Sequence, residues 1–308
     1  MTDLRIAIVG FGKIARDQHV AAIAATPGAK LTAIASRNAS IPDLPHFATI
    51  EELLANGPEI DAVSLCTPPQ VRRAQAAAAL AAGKHVMLEK PPGTSVTELD
   101  PLIATARDSK RTLFATWHSR HAPAVEPARE WLASRRISSV HIAWKEDVRV
   151  WHPGQAWIFE AGGLGVFDPG INALSILTRI LPHPVFMTAA DLSFPANRDA
   201  PIAANLRLAD STGLSITAEF DFRQTGPQTW DIVAETDQGR MTLSRGGRRL
   251  AVDGKTLSEA PDHEYRELYQ RFVELTATGA SDVDLTPFRL VADAFMLGKR
   301  NLVEPFVE

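Results

Sequence analysis

Three side chains in this sequence have the chemistry to transfer a proton or to orient a substrate. Lys90 lies in Glu89-Lys90-Pro91, and the proline after it favours extended backbone at the lysine. Asp168 and Asn172 are four residues apart, so a helix beginning at Pro169 would put Asp168 at its N-cap and both side chains on nearly one face. An amine or a carboxylate can take a proton, whereas an amide can only orient. We predict Lys90, Asp168 and Asn172 as catalytic residues; the alternatives are a solvated lysine, a helix cap and a structural amide.

A second group of residues mixes tryptophans with carboxylate and imidazole side chains. Glu146 is followed closely by Trp151 and His152, and His118 follows a tryptophan of its own. Aromatic faces cover the C–H patches of a sugar ring, and carboxylates or imidazoles accept from its hydroxyls. The pattern favours a carbohydrate pocket, although structural or surface roles are the alternative for the histidines and Glu146. The predicted substrate-binding residues are His118, Glu146, Trp151, His152 and Trp230.

The chain opens with an apolar run that leads into Gly10-Phe11-Gly12-Lys13-Ile14-Ala15. This pattern, between a strand and a helix, lets backbone approach a pyrophosphate at the helix N-terminus. After the second strand, Ser36 and Arg37 replace the acidic residue of NAD-specific sites, which favours NADP while leaving NAD possible, unless Arg37 is only a solvated side chain. Thr67 would contact ribose or nicotinamide, or lie in a plain turn. The predicted cofactor-binding residues are Gly10, Phe11, Gly12, Lys13, Ile14, Ser36, Arg37, Cys66, Thr67, Pro68, Glu89 and Lys90.

The elements that must position these residues differ between the two parts of the chain. In residues 1–118, buried apolar runs alternate with helices, which predicts a Rossmann-type parallel sheet covered on both faces. The predicted strands are Arg5 to Val9, Leu31 to Ala35, Ala62 to Cys66, His85 to Leu88 and Thr112 to Thr116. The predicted helices are Asp17 to Ala25, Ile50 to Ala55, Val71 to Ala82 and Val96 to Arg107.

Residues 119–308 have the pattern of an α+β domain with a mostly antiparallel sheet, because longer strands alternate apolar and polar residues. The predicted strands are Val140 to Trp144, Pro184 to Ser193, Ala203 to Leu208, Leu214 to Phe222, Trp230 to Thr236 and Gly239 to Leu243. The predicted helices are Ala122 to Ser134, Pro169 to Leu181, Tyr265 to Thr278 and Pro287 to Arg300.

The bulk composition excludes several classes of partner. A formal charge of −4 provides no long-range attraction for nucleic acid or acidic membranes. Cys66 is the only cysteine, so neither an internal disulfide nor a thiolate metal cluster can form, and we expect no metal site. The sequence contains neither a secretion signal nor an apolar run of membrane-spanning length. We therefore expect a cytoplasmic protein with a small-molecule substrate.

The glycine motif, Glu89-Lys90-Pro91 and the stretch from Gly162-Gly163 into Asp168 resemble the Gfo/Idh/MocA class of NAD(P)-dependent oxidoreductases. Within it, longer runs in both halves resemble bacterial aldose 1-dehydrogenases that act on D-galactose or L-arabinose. The resemblance implies oxidation of a pyranose at C1 to a lactone, and an open sheet face in the second domain often used for a homodimer contact. It also implies Ser36 and Arg37 near a 2′-phosphate. The residues it implies around the sugar are Lys90, His118, Glu146, His152, Asp168 and Asn172.

One departure from the class concerns the base. Many members have a histidine where this chain has Asn172, and because an amide cannot accept the proton, Lys90 or Asp168 must do so. D-galactose and L-arabinose differ only at C5, so one pocket can accept both sugars. Two alternatives remain: another dehydrogenase of the class, of inositol or dihydrodiol type, and a non-catalytic NADP-binding sensor of sugar or redox state.

Overall fold

The computed structural model describes residues 3–307. Two structural units contain them: the first has residues 3–117 and Tyr265–Leu285, and the second has His118–Glu264 and residues 286–307. The chain thus leaves the first unit after Trp117 and returns to it for one late segment. The predicted domain division at residue 118 stays a prediction.

Fifteen strands occur among residues 3–307. In chain order they are β1 Leu4–Val9, β2 Ala29–Ala35, β3 His46–Phe47, β4 Ala62–Leu65, β5 His85–Leu88, β6 Leu113–Ala115, β7 Ile137–Lys145, β8 Val185–Pro195, β9 Ala203–Asp210, β10 Ser215–Asp221, β11 Thr229–Thr236, β12 Gly239–Ser244, β13 Arg249–Val252, β14 Lys255–Glu259 and β15 Gly298–Val303. The α-helices of the same residues are α1 Val20–Ala25, α2 Ile50–Asn56, α3 Pro69–Ala81, α4 Asp100–Asp108, α5 Val125–Leu132, α6 Val148–Trp151, α7 Phe167–Ile180, α8 Glu264–Thr278 and α9 Thr286–Leu297.

The first unit contains a six-stranded sheet of order β3-β2-β1-β4-β5-β6 in which every pairing is parallel. This confirms the predicted Rossmann-type sheet. Strands β4 and β6 are buried along their whole length, as strands covered on both faces must be. Ile6, Ile8 and Met87 share one core with Leu268 and Phe272 of α8, so the late segment completes this core. Because the strands are parallel, the residues that follow β1, β2, β4 and β5 lie at one edge of the sheet.

The second unit contains a nine-stranded sheet of order β14-β13-β12-β11-β7-β10-β9-β8-β15. Its pairings are antiparallel except β10 with β7 and β15 with β8, which confirms the predicted, mostly antiparallel sheet. Helix α7 packs closely on it, because a Cβ at Gly170 would lie 2.5 Å from the Phe220 ring. The absence of a side chain at Gly170 therefore allows the first turn of α7 to approach the sheet at Phe220.

Several predicted elements were wrong in detail. The last helix ends at Leu297 instead of Arg300, because the chain from Gly298 onwards pairs with β8 as strand β15. The N-cap prediction for Asp168 was also wrong. Helix α7 begins at Phe167 after a turn in which Leu164 and Gly165 have positive φ, so Asp168 lies in the first helical turn. Strands β3, β13 and β14 were missed.

Candidate active site

The glycine turn after β1 has the geometry of a phosphate cradle. Gly10 has a φ of +86°, and a Cβ on it would lie 2.7 Å from the backbone nitrogen of Thr67, so only glycine fits. A Cβ on Gly12 would meet nothing within 4 Å, which leaves open space beside the turn. Residues 13–25 are helical, so the first amide groups of this helix point out of its N-terminus. The residues present therefore fit a dinucleotide pyrophosphate.

The side chains around this turn are placed as follows. Phe11 is buried, Lys13 forms an exposed ion pair with Asp17, and Ile14 is exposed. After β2, the Ser36 amide donates to the Phe47 carbonyl at 2.8 Å, and Arg37 is exposed at the same sheet edge. A hydroxyl and an exposed guanidinium suit a phosphate oxygen.

A buried arginine, which the sequence analysis missed, joins the two loops that follow β4 and β5. Arg72 of α3 donates to the Thr67 carbonyl from Nε at 3.1 Å, and its Nη1 donates to the carbonyls of Glu89 and Pro91. The Thr67 hydroxyl donates to Gln75 at 2.6 Å. The loop containing Cys66, Thr67 and Pro68 is therefore tied to the Glu89-Lys90-Pro91 segment.

Lys90 follows β5 and is half-buried, and a cis peptide bond joins it to Pro91. The carboxylate of Glu89 is buried and accepts from the Lys90 amide at 2.8 Å. Its other oxygen lies 3.1 Å from Nε2 of His19, a second residue that the sequence analysis did not single out. All the predicted cofactor-binding residues thus lie in segments at the carboxyl edge of the parallel sheet.

The second unit assembles a network of four polar side chains, all of them predicted. Glu146, directly after β7, is buried; one carboxylate oxygen accepts from Trp230 Nε1 at 2.8 Å, and the other lies 3.1 Å from His152 Nε2. On its other side, His152 Nδ1 lies 3.9 Å from Oδ2 of the buried Asp168. This row of carboxylate, imidazole and carboxylate can orient hydroxyl groups and exchange a proton.

Indole rings border this network. Trp230 stacks on Trp144 with centroids 5.9 Å apart, and the partly exposed Trp151 lies 4.7 Å from Trp230. His152 also meets the Phe222 ring edge-on at 5.6 Å. Trp144 and Phe222 were missed, although Trp144 lies at a buried position of the alternating strand β7 and Phe222 directly follows β10, another alternating strand. The result is an aromatic surface beside fixed carboxylates, as the carbohydrate prediction requires.

Trp230 also lines an open cavity of about 370 Å³, together with Pro227, Gln228, Asp231, Arg245 and Arg248. Partial burial raises the pKa of Asp231, although a hydrogen bond from the Arg245 backbone opposes the shift. Trp230 is the one residue that this cavity shares with the network.

Two predicted residues have other neighbours. His118 lies in a 3₁₀ turn, His118–His121, and its Nδ1 contacts Glu264. Asn172 is half-buried on α7, one turn after Asp168, and its backbone carbonyl accepts from the Ser175 hydroxyl at 2.7 Å. Within the part of the chain that the structure describes, no three His, Cys, Asp or Glu side chains are grouped to hold a metal. Over the same residues, no helix is long and apolar enough to cross a membrane.

Known proteins resemble this chain over its full length. A family model described as an oxidoreductase family with an NAD-binding Rossmann fold matches residues 4–116. The galactose 1-dehydrogenase of Pseudomonas fluorescens is 46% identical over 308 residues, which cover all of both chains. A crystal structure of the D-galactose-1-dehydrogenase protein from Rhizobium etli superposes with a TM-score of 0.95 at 58% identity, covering 100% of this chain and 99% of that one.

More distant structures share the fold. The 3-ketoreductase KijD10 from Actinomadura kijaniata, solved with TDP-benzene and NADP as a Y186F mutant, has a TM-score of 0.87 at 20% identity, covering 98% of this chain and all of that one. The WlbA dehydrogenase from Bordetella pertussis, solved with NADH and UDP-GlcNAcA, has a TM-score of 0.81 at 20% identity, covering 96% of each chain. The match to the family model over residues 4–116 and the full-length similarity to galactose 1-dehydrogenase show that the chain belongs to the Gfo/Idh/MocA oxidoreductase family, with the NAD-binding Rossmann fold in its first unit.

Proposed function

We propose that this protein oxidises an aldopyranose, D-galactose or L-arabinose, at C1 to the corresponding lactone with NADP or NAD. The observation that carries the proposal is the row Trp230, Glu146, His152 and Asp168, which places hydrogen-bonding groups of fixed orientation beside indole faces. The full-length similarity to two proteins named as galactose 1-dehydrogenases supports the choice of sugar.

The reaction removes a hydride from C1 and a proton from the C1 hydroxyl. When bound, the oxidised nicotinamide accepts the hydride. Lys90 or Asp168 takes the proton, and Asn172 orients the hydroxyl through its amide.

As a carboxylate, Glu146 accepts a hydrogen bond from Nε2 of His152 and fixes the imidazole beside Asp168, whose Oδ2 lies 3.9 Å from Nδ1. Glu146 thus orients both His152 and Trp230 in addition to any contact with a sugar hydroxyl.

Ser36 and Arg37 favour NADP. Neither side chain repels a phosphate, and Arg37 is exposed where it can pair with one. NAD lacks this phosphate but meets no repulsion either, so we propose activity with both and a preference for NADP.

The decisive experiment is an assay of reduced-nicotinamide absorbance over a panel of aldoses, inositol and a dihydrodiol, each with NAD and NADP. We expect turnover of D-galactose and L-arabinose with the lactone as product, and the ratio of their kcat/KM values measures preference. Turnover only of a polyol or diol would favour another dehydrogenase of the family. Sugar binding without turnover would favour the sensor. The predicted homodimer and cytoplasmic location stay predictions, the first testable by light scattering.

A further inference from the structure

A buried polar cluster lies directly beneath the glycine turn and the Lys90 segment. His19 is 0% exposed and ends a π-helical turn, Ala15–His19, that continues from the glycine motif. Its Nδ1 lies 2.7 Å from the Tyr269 hydroxyl, and its Nε2 lies 3.1 Å from Glu89 and 3.6 Å from the Cys66 sulfur. A polar group this deep persists only where its partners compensate for lost water.

The partners of His19 favour its charged form. Burial opposes the imidazolium, but the adjacent Cys66 and Tyr269 side chains and hydrogen bonds to Cys66 and Glu89 together raise the pKa of His19 well above its ordinary value. Whatever its protonation state, the imidazole of His19 lies within hydrogen-bond distance of the buried Glu89 carboxylate, 3.1 Å from Nε2 to Oε1, so each side chain supplies the other with a polar partner away from solvent.

Glu89 links His19 to the backbone of Lys90. One carboxylate oxygen faces His19, and the other accepts from the Lys90 amide at 2.8 Å. Arg72 holds the same segment from its carbonyl side, at Glu89 and Pro91. The amide at the start of the Lys90 stem is thus fixed by a carboxylate whose rotamer depends on His19.

We infer that His19 and Glu89 are positioning residues that hold the Lys90 backbone for hydride-transfer chemistry and link it to the helix behind the glycine turn. This inference rests on the proposed function, because it assigns a role within the same site. It differs from a merely structural role, in which losing His19 would lower stability without changing the rate of the bound complex.

The test compares His19→Gln, Glu89→Gln and the double variant, at saturating galactose and NADP. We expect each single variant to lower kcat about tenfold with KM values within about twofold, since displacement of a catalytic group affects the bound complex. The double variant should lose no more than the more affected single variant, because the residues act as one unit. Amide hydrogen exchange at Lys90 should accelerate at least about tenfold in all three.

The control is His85→Gln, a matched substitution at the start of β5, where His85 Nδ1 accepts from the Thr112 amide at 3.0 Å. It should lower Tm while kcat and exchange at Lys90 stay as in the wild type. Unchanged kcat, unchanged exchange at Lys90, or losses that multiply in the double variant would each overturn the inference. If His19→Gln does not fold, Glu89→Gln carries the same criteria. If the wild type oxidises no aldose, the proposed function fails, and exchange at Lys90 alone decides whether the pair holds this backbone.

Discussion

The two units build their parts of the chemistry differently. In the first, each functional segment directly follows a parallel strand, so sheet direction alone brings Gly10, Thr67 and Lys90 to one edge. In the second, the network joins residues as far apart as Glu146 and Trp230, 84 positions along the chain, from a strand end, a turn, a helix start and another strand. Topology places the first set, whereas side-chain packing must place the second.

The hydrogen bonds that hold the functional segments differ as well. In the first unit, Arg72 donates to backbone carbonyls of two loops, whereas in the second the carboxylate of Glu146 binds the side chains of Trp230 and His152. Substitutions in the glycine turn of the first unit should therefore mainly weaken cofactor binding, and those in the Glu146 network of the second unit should mainly slow the reaction.

The largest effect is expected for Asp168→Asn, which keeps the shape of a buried side chain and removes its ability to accept a proton. We expect kcat to fall about 10³-fold, within the range for loss of a general base. Steady-state kinetics on galactose measures it, with Asp108→Asn, an exposed residue paired with Arg107, as the control. A near-normal turnover number would leave Lys90 as the base, and the network of the second unit would then not carry the proton transfer.

A matched glycine pair tests the first unit. Gly12→Ala should weaken NADP binding roughly 100-fold, about 2.8 kcal/mol, with Tm unchanged, because its Cβ would enter only the open space of the cradle. Gly10→Ala should instead lower Tm, because its Cβ would meet Thr67 at a positive φ. Calorimetric titration measures the NADP affinity of each variant, and thermal unfolding measures its Tm. An equal loss of Tm in both variants would contradict the assignment of open, phosphate-binding space beside Gly12.

Glu146→Gln probes the network itself. If glutamine keeps its oxygen towards Trp230, its NH₂ group faces Nε2 of His152, which can accept only as the other tautomer, so the imidazole no longer has its wild-type orientation of donor and acceptor, and we expect kcat/KM for galactose to fall about 10- to 100-fold. Trp230→Phe keeps a ring but removes the N–H donor. If the two residues act through one bond, the losses should not add, and a double-mutant cycle measures this.

Arg37→Ala should change only cofactor choice. We expect the Kd for NADP to rise about tenfold while the Kd for NAD stays constant, because the exposed guanidinium meets only the additional phosphate. Fluorescence titration with both dinucleotides is the measurement. An equal loss for both would show that Arg37 does not read the phosphate.

The smallest effect concerns Asp231. Because its folded-state pKa is raised, the ionised carboxylate destabilises the fold above that pKa, and the penalty disappears as pH falls below the ordinary value for aspartate. Asp231→Asn should therefore stabilise the protein at pH 7 by less than about 1 kcal/mol and leave it unchanged near pH 3, because the group is only partly buried. Urea unfolding at both pH values checks the sign.

Much of this architecture could be predicted because it depends on local patterns. Apolar runs between helices identified β1, β2, β4 and β5, and alternation identified most of the second sheet. Errors arose where a contact distant in sequence decides the outcome. The last helix ends before Gly298 because the following residues pair with the distant strand β8, and α7 begins at Phe167, two residues before Pro169, directly after a turn in which Leu164 and Gly165 have positive φ.

The amino-acid sequence by itself determined the glycine turn, the lysine after a parallel strand and the residue types of the aromatic and carboxylate network, since each follows from neighbours along the chain. Only the tertiary structure decided that Glu146 joins Trp230 to His152, that Arg72 ties two loops, and that Tyr269 of α8 meets His19 beneath Lys90. Hydrogen bonds between distant side chains depend on the packing of whole elements, and no local periodicity encodes that packing.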